Sequence, residues 1–191
     1  CGDDFFMRTH ENDHLNTMSG NEGYDEPMVY EAVIEFCNRH NKTLKEFGKH
    51  RGYGKTFMAL HIAVKLRRRF LIIVDKEFLM NQWKSEIENF ILGARVGILQ
   101  SNKIQMDSEK YDITICMIQT ICRRKFPDGF FDQYGFTIFD ECHHLGASYF
   151  CKALLKIQTR YMLGLSATMN RSDGTTKVFK MFLGPVVFKK E

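Results

Sequence analysis

From residue 70 onward, short apolar runs alternate with polar stretches of helical pattern. The runs cover residues 70–74, 95–99, 112–117, 136–139 and 161–165, and they are β-branched or aromatic with apolar residues on both faces. A strand reads this way when both of its faces are buried in a parallel sheet. Residues 56–69, 77–91 and 147–157 repeat apolar positions at spacings of three and four, the period of an amphipathic helix. Strand followed by helix, repeated, predicts a doubly wound α/β domain with a mostly parallel central sheet and helices on both faces. Ligands of such a sheet bind beyond the carboxyl ends of its strands. The residues just after each apolar run are therefore where chemistry is expected.

Upstream the texture differs. Residues 1–26 are polar and acidic, and read as a disordered arm. Pro27 opens a helical pattern through Val29, Val33, Phe36, Cys37, Leu44 and Phe47, broken at residues 38–43. The expected organisation is an arm over 1–26, a divergent helical segment over 27–51, and a domain over 52–191.

Composition narrows the class. The 191 residues are 44% apolar and 26% charged, an ordinary globular balance. No apolar run approaches the roughly 18 residues of a membrane span. The net charge of +4 conceals a sum of −6 over residues 1–30 and +10 over the rest. A basic body fits a polyanionic partner and equally a mildly basic solvated surface. The six cysteines, at 1, 37, 116, 122, 142 and 151, form no C-x-x-C pair. They predict no disulfide framework, and the chain is read as soluble and intracellular. It begins with Cys1 rather than Met, and is read as a fragment.

Three candidate motifs follow the strand pattern. Gly52-Tyr53-Gly54-Lys55-Thr56 enters the first helix. Glycines at 52 and 54 allow a tight turn whose backbone N–H groups face phosphate oxygens. Lys55 would reach the β- and γ-phosphates, and Thr56 would offer a hydroxyl to Mg²⁺. A full phosphate loop wants a small residue at position 49 and a strand before it; the chain has Lys49 and a polar stretch. The fourth run ends in Asp140-Glu141-Cys142-His143-His144. An acid pair at a buried strand end is costly unless a cation or hydrogen bonds compensate it. Asp140 would hold Mg²⁺ and Glu141 would orient or deprotonate an attacking water. A zinc site at Cys142, His143 and His144 is disfavoured, since no second ligand pair has suitable spacing. The fifth run is followed by Ser166-Ala167-Thr168, which alone reads as turn chemistry.

In this order, these blocks resemble superfamily 2 helicases and translocases of the XPB-type and type III restriction-type group, with a texture similar to helicases of large DNA viruses and phages. Further support lies in residues 71–84, 113–120, 163–174 and 182–187. The resemblance covers about residues 52–188 and implies the first RecA-like lobe of a two-lobe motor. It implies ATP and Mg²⁺ as cofactors, with Gly52, Gly54, Lys55 and Thr56 binding nucleotide and Thr56 and Asp140 the metal. Lys55, Asp140, Glu141 and His143 would serve hydrolysis, and Ser166 and Thr168 would couple it to movement. Lys76, Gln119 and Thr120 would touch a nucleic-acid backbone, DNA sooner than RNA. Against this, Lys76 also reads as a solvated lysine, and Gln119 and Thr120 as a helix cap. Lys65, Arg67, Arg68 and Arg69 read as cations offsetting a helix C-terminus, and Trp83 as a core residue. Two readings compete: a different P-loop enzyme such as a kinase or recombinase-type ATPase, and a non-catalytic nucleic-acid-binding module that has lost nucleotide binding. Lys49 and the absence of glutamine from residues 1–48, where the family keeps an adenine-reading Gln, favour the second. With 23 residues after Thr168, the chain lacks a second lobe and is expected to be inactive alone.

Overall fold

The computed structural model describes residues 4–9, 53–141, 147–166, 181–184 and 186–189. Their strands are β1 (Asp4–Thr9), β2 (Phe70–Val74), β3 (Val96–Gln100), β4 (Lys103–Ile104), β5 (Ile113–Met117), β6 (Phe136–Phe139), β7 (Tyr161–Ser166) and β8 (Val186–Lys189). Their helices are α1 (Tyr53–Leu66), α2 (Glu77–Phe90), α3 (Ile118–Arg123) and α4 (Ala147–Leu154). The strands form one sheet in the order β4-β3-β5-β2-β6-β7-β1-β8. Its centre, from β3 to β7, is parallel throughout. All five runs read as strands are strands, and each of the three helical stretches carries a helix.

Side chains alternate across the sheet and split the interior into two layers. Phe70, Ile72 and Val74 face one way with Ile115, Phe136, Ile138 and Leu163, against Met58, Leu60 and Ile62 of α1 and Met80, Trp83 and Ile87 of α2. Leu71 and Ile73 face the other way with Cys116 and Phe139, against Ile121 of α3 and Phe150, Ala153 and Leu154 of α4. This is the three-layer sandwich that the alternating pattern predicts. Helix α2 buries its 80, 83 and 87 positions, one stripe at helical spacing; each such side chain contributes about 1.5–3 kcal/mol on burial.

Registers align the strand ends. Ile73 lies opposite Cys116 on one side and Phe139 on the other, and Phe139 lies opposite Gly164. The Asp140 N–H donates to the Ile73 carbonyl at 3.0 Å, extending the ladder one residue past β6. Asp75, Ile118, Asp140 and Ser166 therefore share one edge of the sheet.

Within the segment read as an arm over 1–26, the described residues are Asp4–Thr9, which form β1, antiparallel to both β7 and β8. An open flank of β7 leaves a row of backbone donors and acceptors to be satisfied, and Asp4–Thr9, with Phe5, Phe6 and Met7 at its centre, takes it. Thr9 lies opposite Tyr161, the first residue of β7, so β1 ends at the sheet edge remote from Asp140. Among the described residues no strand leads into α1. The helical pattern over 27–51 and the upstream strand in question lie outside them.

At the opposite edge from the acids, Arg69 does more than offset a helix end. Its guanidinium donates to Gln133 Oε1 and the Tyr111 carbonyl, both at 2.6 Å, and lies 4.9 Å from the Tyr134 ring centroid. It fastens the lead-ins of β2, β5 and β6.

Gly97 in β3 marks a close approach: a Cβ there would stand 1.9 Å from the Gln105 carbonyl oxygen and 3.0 Å from Tyr111 Cγ. Gly97→Ala must therefore displace backbone, at a cost of about 2 kcal/mol. Urea unfolding of the variant is expected to show a lower midpoint with an unchanged slope.

Candidate functional site

Lys55 and Thr56 lie in the first turn of α1, together with the backbone of Gly54. Both side chains are largely enclosed, with Lys55 at 9% and Thr56 at 7% exposure. Asp140 and Glu141 follow β6 directly. Lys55 Nζ donates to Glu141 Oε1 at 3.0 Å across 86 positions of sequence. The first and second candidate motifs are thus one site at the carboxyl edge of the sheet.

Glu141 adopts a left-handed conformation, φ 47°. A side chain there costs about 1–2 kcal/mol, and such strain gathers at functional positions. The turn directs the Glu141 carboxylate toward Lys55 as the chain leaves β6.

Asp140 is 7% exposed. Its Oδ1 accepts the Glu141 N–H at 2.9 Å, and its Oδ2 accepts the Trp83 indole N–H at 2.7 Å. Burial pushes its carboxyl up to about 6; the Trp83 hydrogen bond and nearby Lys55 work against that rise, and the Glu141 charge adds to it. The Lys55 ammonium thus stands beside both acids. Among the described residues the Asp140 oxygens receive only neutral donors, and a buried carboxylate held in that way is one a cation would compensate.

Ser166 ends β7, fully buried. It is two residues past Gly164, the partner of Phe139, and so stands at the level of Glu141. Gly52, His143 and Thr168 lie outside the described residues, as do Cys142 and His144.

The three nucleic-acid candidates lie at the same edge, on the β2–β5 side. Lys76 is exposed and occupies the N-cap position of α2, its Nζ 6.0 Å from the Phe78 ring centroid. Gln119 Nε2 donates to the Asp75 carbonyl at 2.8 Å, joining α3 to the end of β2. Its Oε1 is buried and accepts no hydrogen bond among the described residues. Thr120 Oγ1 accepts the Ser101 N–H at 2.9 Å. Gln119 and Thr120 are inside the first turn of α3 rather than capping it. Both do structural work, and Lys76 is the most open of the three.

Helical spacing places Trp83 in the interior but does not reveal its acceptor, Asp140. The available signal was chemical: a buried indole N–H generally finds a partner, and Asp140 was the buried acid in need of a donor.

Comparison with known proteins bears on the family and the fold. Residues 23–171 match the family model described as type III restriction enzyme, res subunit. The match starts upstream of residue 52, where the motifs alone place the beginning of the resemblance. An Acanthamoeba polyphaga mimivirus protein named as an ATP-dependent RNA helicase is 35% identical over 140 residues, 73% of this chain and 26% of its own length. A protein of Invertebrate iridescent virus 6 named as a helicase is 38% identical over 177 residues, 89% of this chain and 39% of that relative. The chain thus spans well under half of these curated relatives. The UvsW helicase of bacteriophage T4 shares the fold with a TM-score of 0.56 at 19% identity, over 68% of this chain and 49% of that one. The SWI2/SNF2 ATPase core domain of Sulfolobus solfataricus does so with a TM-score of 0.57 at 14% identity, over 94% and 39% respectively.

Proposed function

The chain belongs to the type III restriction enzyme res-subunit family of superfamily 2 helicases, and from that premise we propose that it is the ATP-binding lobe of a nucleic-acid helicase or translocase. One observation carries the reading: the Lys55–Glu141 ion pair, with Asp140 beside it, at the carboxyl edge of the sheet.

The residues present fit nucleotide and Mg²⁺. A hydroxyl and a buried carboxylate are hard oxygen donors of the kind Mg²⁺ takes. Thr56 and Asp140 would hold the ion. When bound, Mg²⁺ neutralises charge on the β- and γ-phosphates. Gly52 and Gly54 would bring backbone N–H groups to those phosphates, with α1 presenting the positive end of its dipole. Lys55 would exchange Glu141 for the γ-phosphate when nucleotide binds. The Glu141 carboxylate would then orient a water for attack on the γ-phosphorus and accept its proton, as the bond from that phosphorus to the departing ADP breaks. His143 would serve hydrolysis with these residues, and Ser166 and Thr168 would couple it to movement.

Nucleic acid, DNA ahead of RNA, would cross the edge carrying Lys76, Gln119 and Thr120. Contacts to phosphate and sugar carry little sequence preference. A second RecA-like lobe would close the cleft and supply an arginine to the transition state. The 191-residue polypeptide on its own is therefore expected to hydrolyse ATP slowly and not to unwind a duplex. DNA-stimulated turnover at the rate of a two-lobe helicase, abolished by Lys55→Ala, would contradict this.

Fluorescence anisotropy with labelled single-stranded DNA and RNA of mixed sequence tests the nucleic-acid part. Binding that weakens steeply with salt and is indifferent to sequence is expected; no binding at low salt would overturn it. The non-catalytic alternative predicts such binding with no response to nucleotide. The intact Asp140–Glu141–Lys55 cluster speaks against it.

A further inference from the structure

We propose that Trp83 is a positioning residue for Asp140: its indole N–H holds the metal-binding carboxylate in one orientation while leaving its charge intact. The inference rests on the nucleotide reading of the site and deepens it.

Trp83 lies mid-way along α2 and is 1% exposed. Its Nε1–H donates to Asp140 Oδ2 at 2.7 Å, in the interior. Oδ1 receives the Glu141 backbone N–H at 2.9 Å. The two oxygens are thus each held by one donor from a different direction, one from a helix and one from the turn after β6. This arrangement fixes the plane of the carboxylate.

The kind of donor matters. An indole N–H only donates; it cannot take a proton from the acid or bring a positive charge. A Lys or Arg at position 83 would satisfy Asp140 equally well as a hydrogen-bond partner, yet would neutralise it and compete with a divalent cation. A Phe or Leu would fill the same interior space and leave Oδ2 without its donor. Tyrosine also offers a neutral donor from a large aromatic body, but its hydroxyl accepts as well, whereas the indole N–H of tryptophan only donates. Each carboxylate oxygen has a second lone-pair direction, and among the described residues neither receives a second hydrogen bond. Partners of this type commonly change metal affinity by about 10–100-fold when removed.

Trp83 is the one tryptophan in the sequence, so a tryptophan analogue supplied during expression replaces this residue and no other. The 191-residue chain is prepared with β-(3-benzothienyl)alanine, in which sulfur replaces the N–H at nearly unchanged shape. Trp83→Phe serves as a genetically encoded second variant. Affinity for ATPγS is measured by calorimetry, once with Mg²⁺ and once with EDTA. We expect the analogue to lose about tenfold in the Mg²⁺-supported affinity, with the EDTA affinity and the melting temperature close to those of the natural chain. In ¹⁵N-tryptophan-labelled protein, the single indole cross-peak is expected to be protected from solvent exchange and to move on Asp140→Asn.

Equal Mg²⁺-supported affinities for the natural and analogue chains would overturn the role of Trp83 and leave the nucleotide site standing. Equal losses with Mg²⁺ and with EDTA would also overturn it, since they would mark a packing role only. So would an indole proton that exchanges freely. A natural chain with no Mg²⁺-supported affinity at all would overturn the nucleotide reading, and this inference with it.

Discussion

Replacing Lys55 with alanine is expected to weaken Mg²⁺·ATP binding by at least about 100-fold, close to 2.7 kcal/mol. Two losses combine. The ammonium would make a charge-assisted bond to phosphate, a contact of about 1.5–3 kcal/mol. It is also a cation that faces Glu141 at 3.0 Å, beside an Asp140 already pushed up to about 6 by burial. Without it, both acids lose that ammonium as a polyanion approaches. Calorimetric titration checks this, and an unchanged dissociation constant would show that Lys55 does not meet the phosphates. The fold should tolerate the change better than the ligand does, because the ion pair retains some solvent contact, at 11% and 21% side-chain exposure.

Phe139→Ala should produce the largest loss of stability, about 3–5 kcal/mol. Phe139 is fully buried at the end of β6 and meets Phe150 of α4 edge-on at 5.2 Å between centroids. Truncation removes that contact and leaves a cavity between sheet and helix. For a chain of this size the loss corresponds to a melting temperature lower by roughly 10 °C. Phe139 also precedes Asp140, so the acid at the strand end should lose its fixed position and nucleotide affinity should fall in parallel. Differential scanning calorimetry gives the first quantity. A loss below about 1 kcal/mol would mean the Phe139–Phe150 layer collapses on itself without penalty.

The sheet was legible in the chain because its central strands are buried on both faces. Phe70-Leu71-Ile72-Ile73-Val74 has no polar position to confuse with a surface helix, and its length of five residues excludes a long one. The strand ends were legible for the same reason: Asp140 stands out against Phe136–Phe139. What stayed hidden depends on partners distant in sequence. Strand β1 sits in an acidic, polar context, and becomes a strand through the backbone of β7 more than 150 residues away. Helix α3 continues the apolar run of β5, so nothing local marks Met117 as the boundary. Arg69 looked like one of several cations at a helix end, although its partners at Tyr111, Gln133 and Tyr134 lie on other segments. Trp83 showed its burial through helical spacing, whereas its acceptor is 57 positions away. Lys55 and Glu141 could be named from motifs, but only the fold brings them within a hydrogen bond.

The most direct test of the account is thermal unfolding of the chain with ATPγS, in Mg²⁺ and in EDTA, with Lys55→Ala alongside. A ligand held at 100 times its dissociation constant stabilises a fold by about 2.7 kcal/mol. The melting temperature should rise with nucleotide, more with Mg²⁺ than with EDTA, and the rise should be lost in Lys55→Ala. A chain that binds single-stranded nucleic acid yet melts at the same temperature with and without saturating Mg²⁺·ATPγS would contradict it.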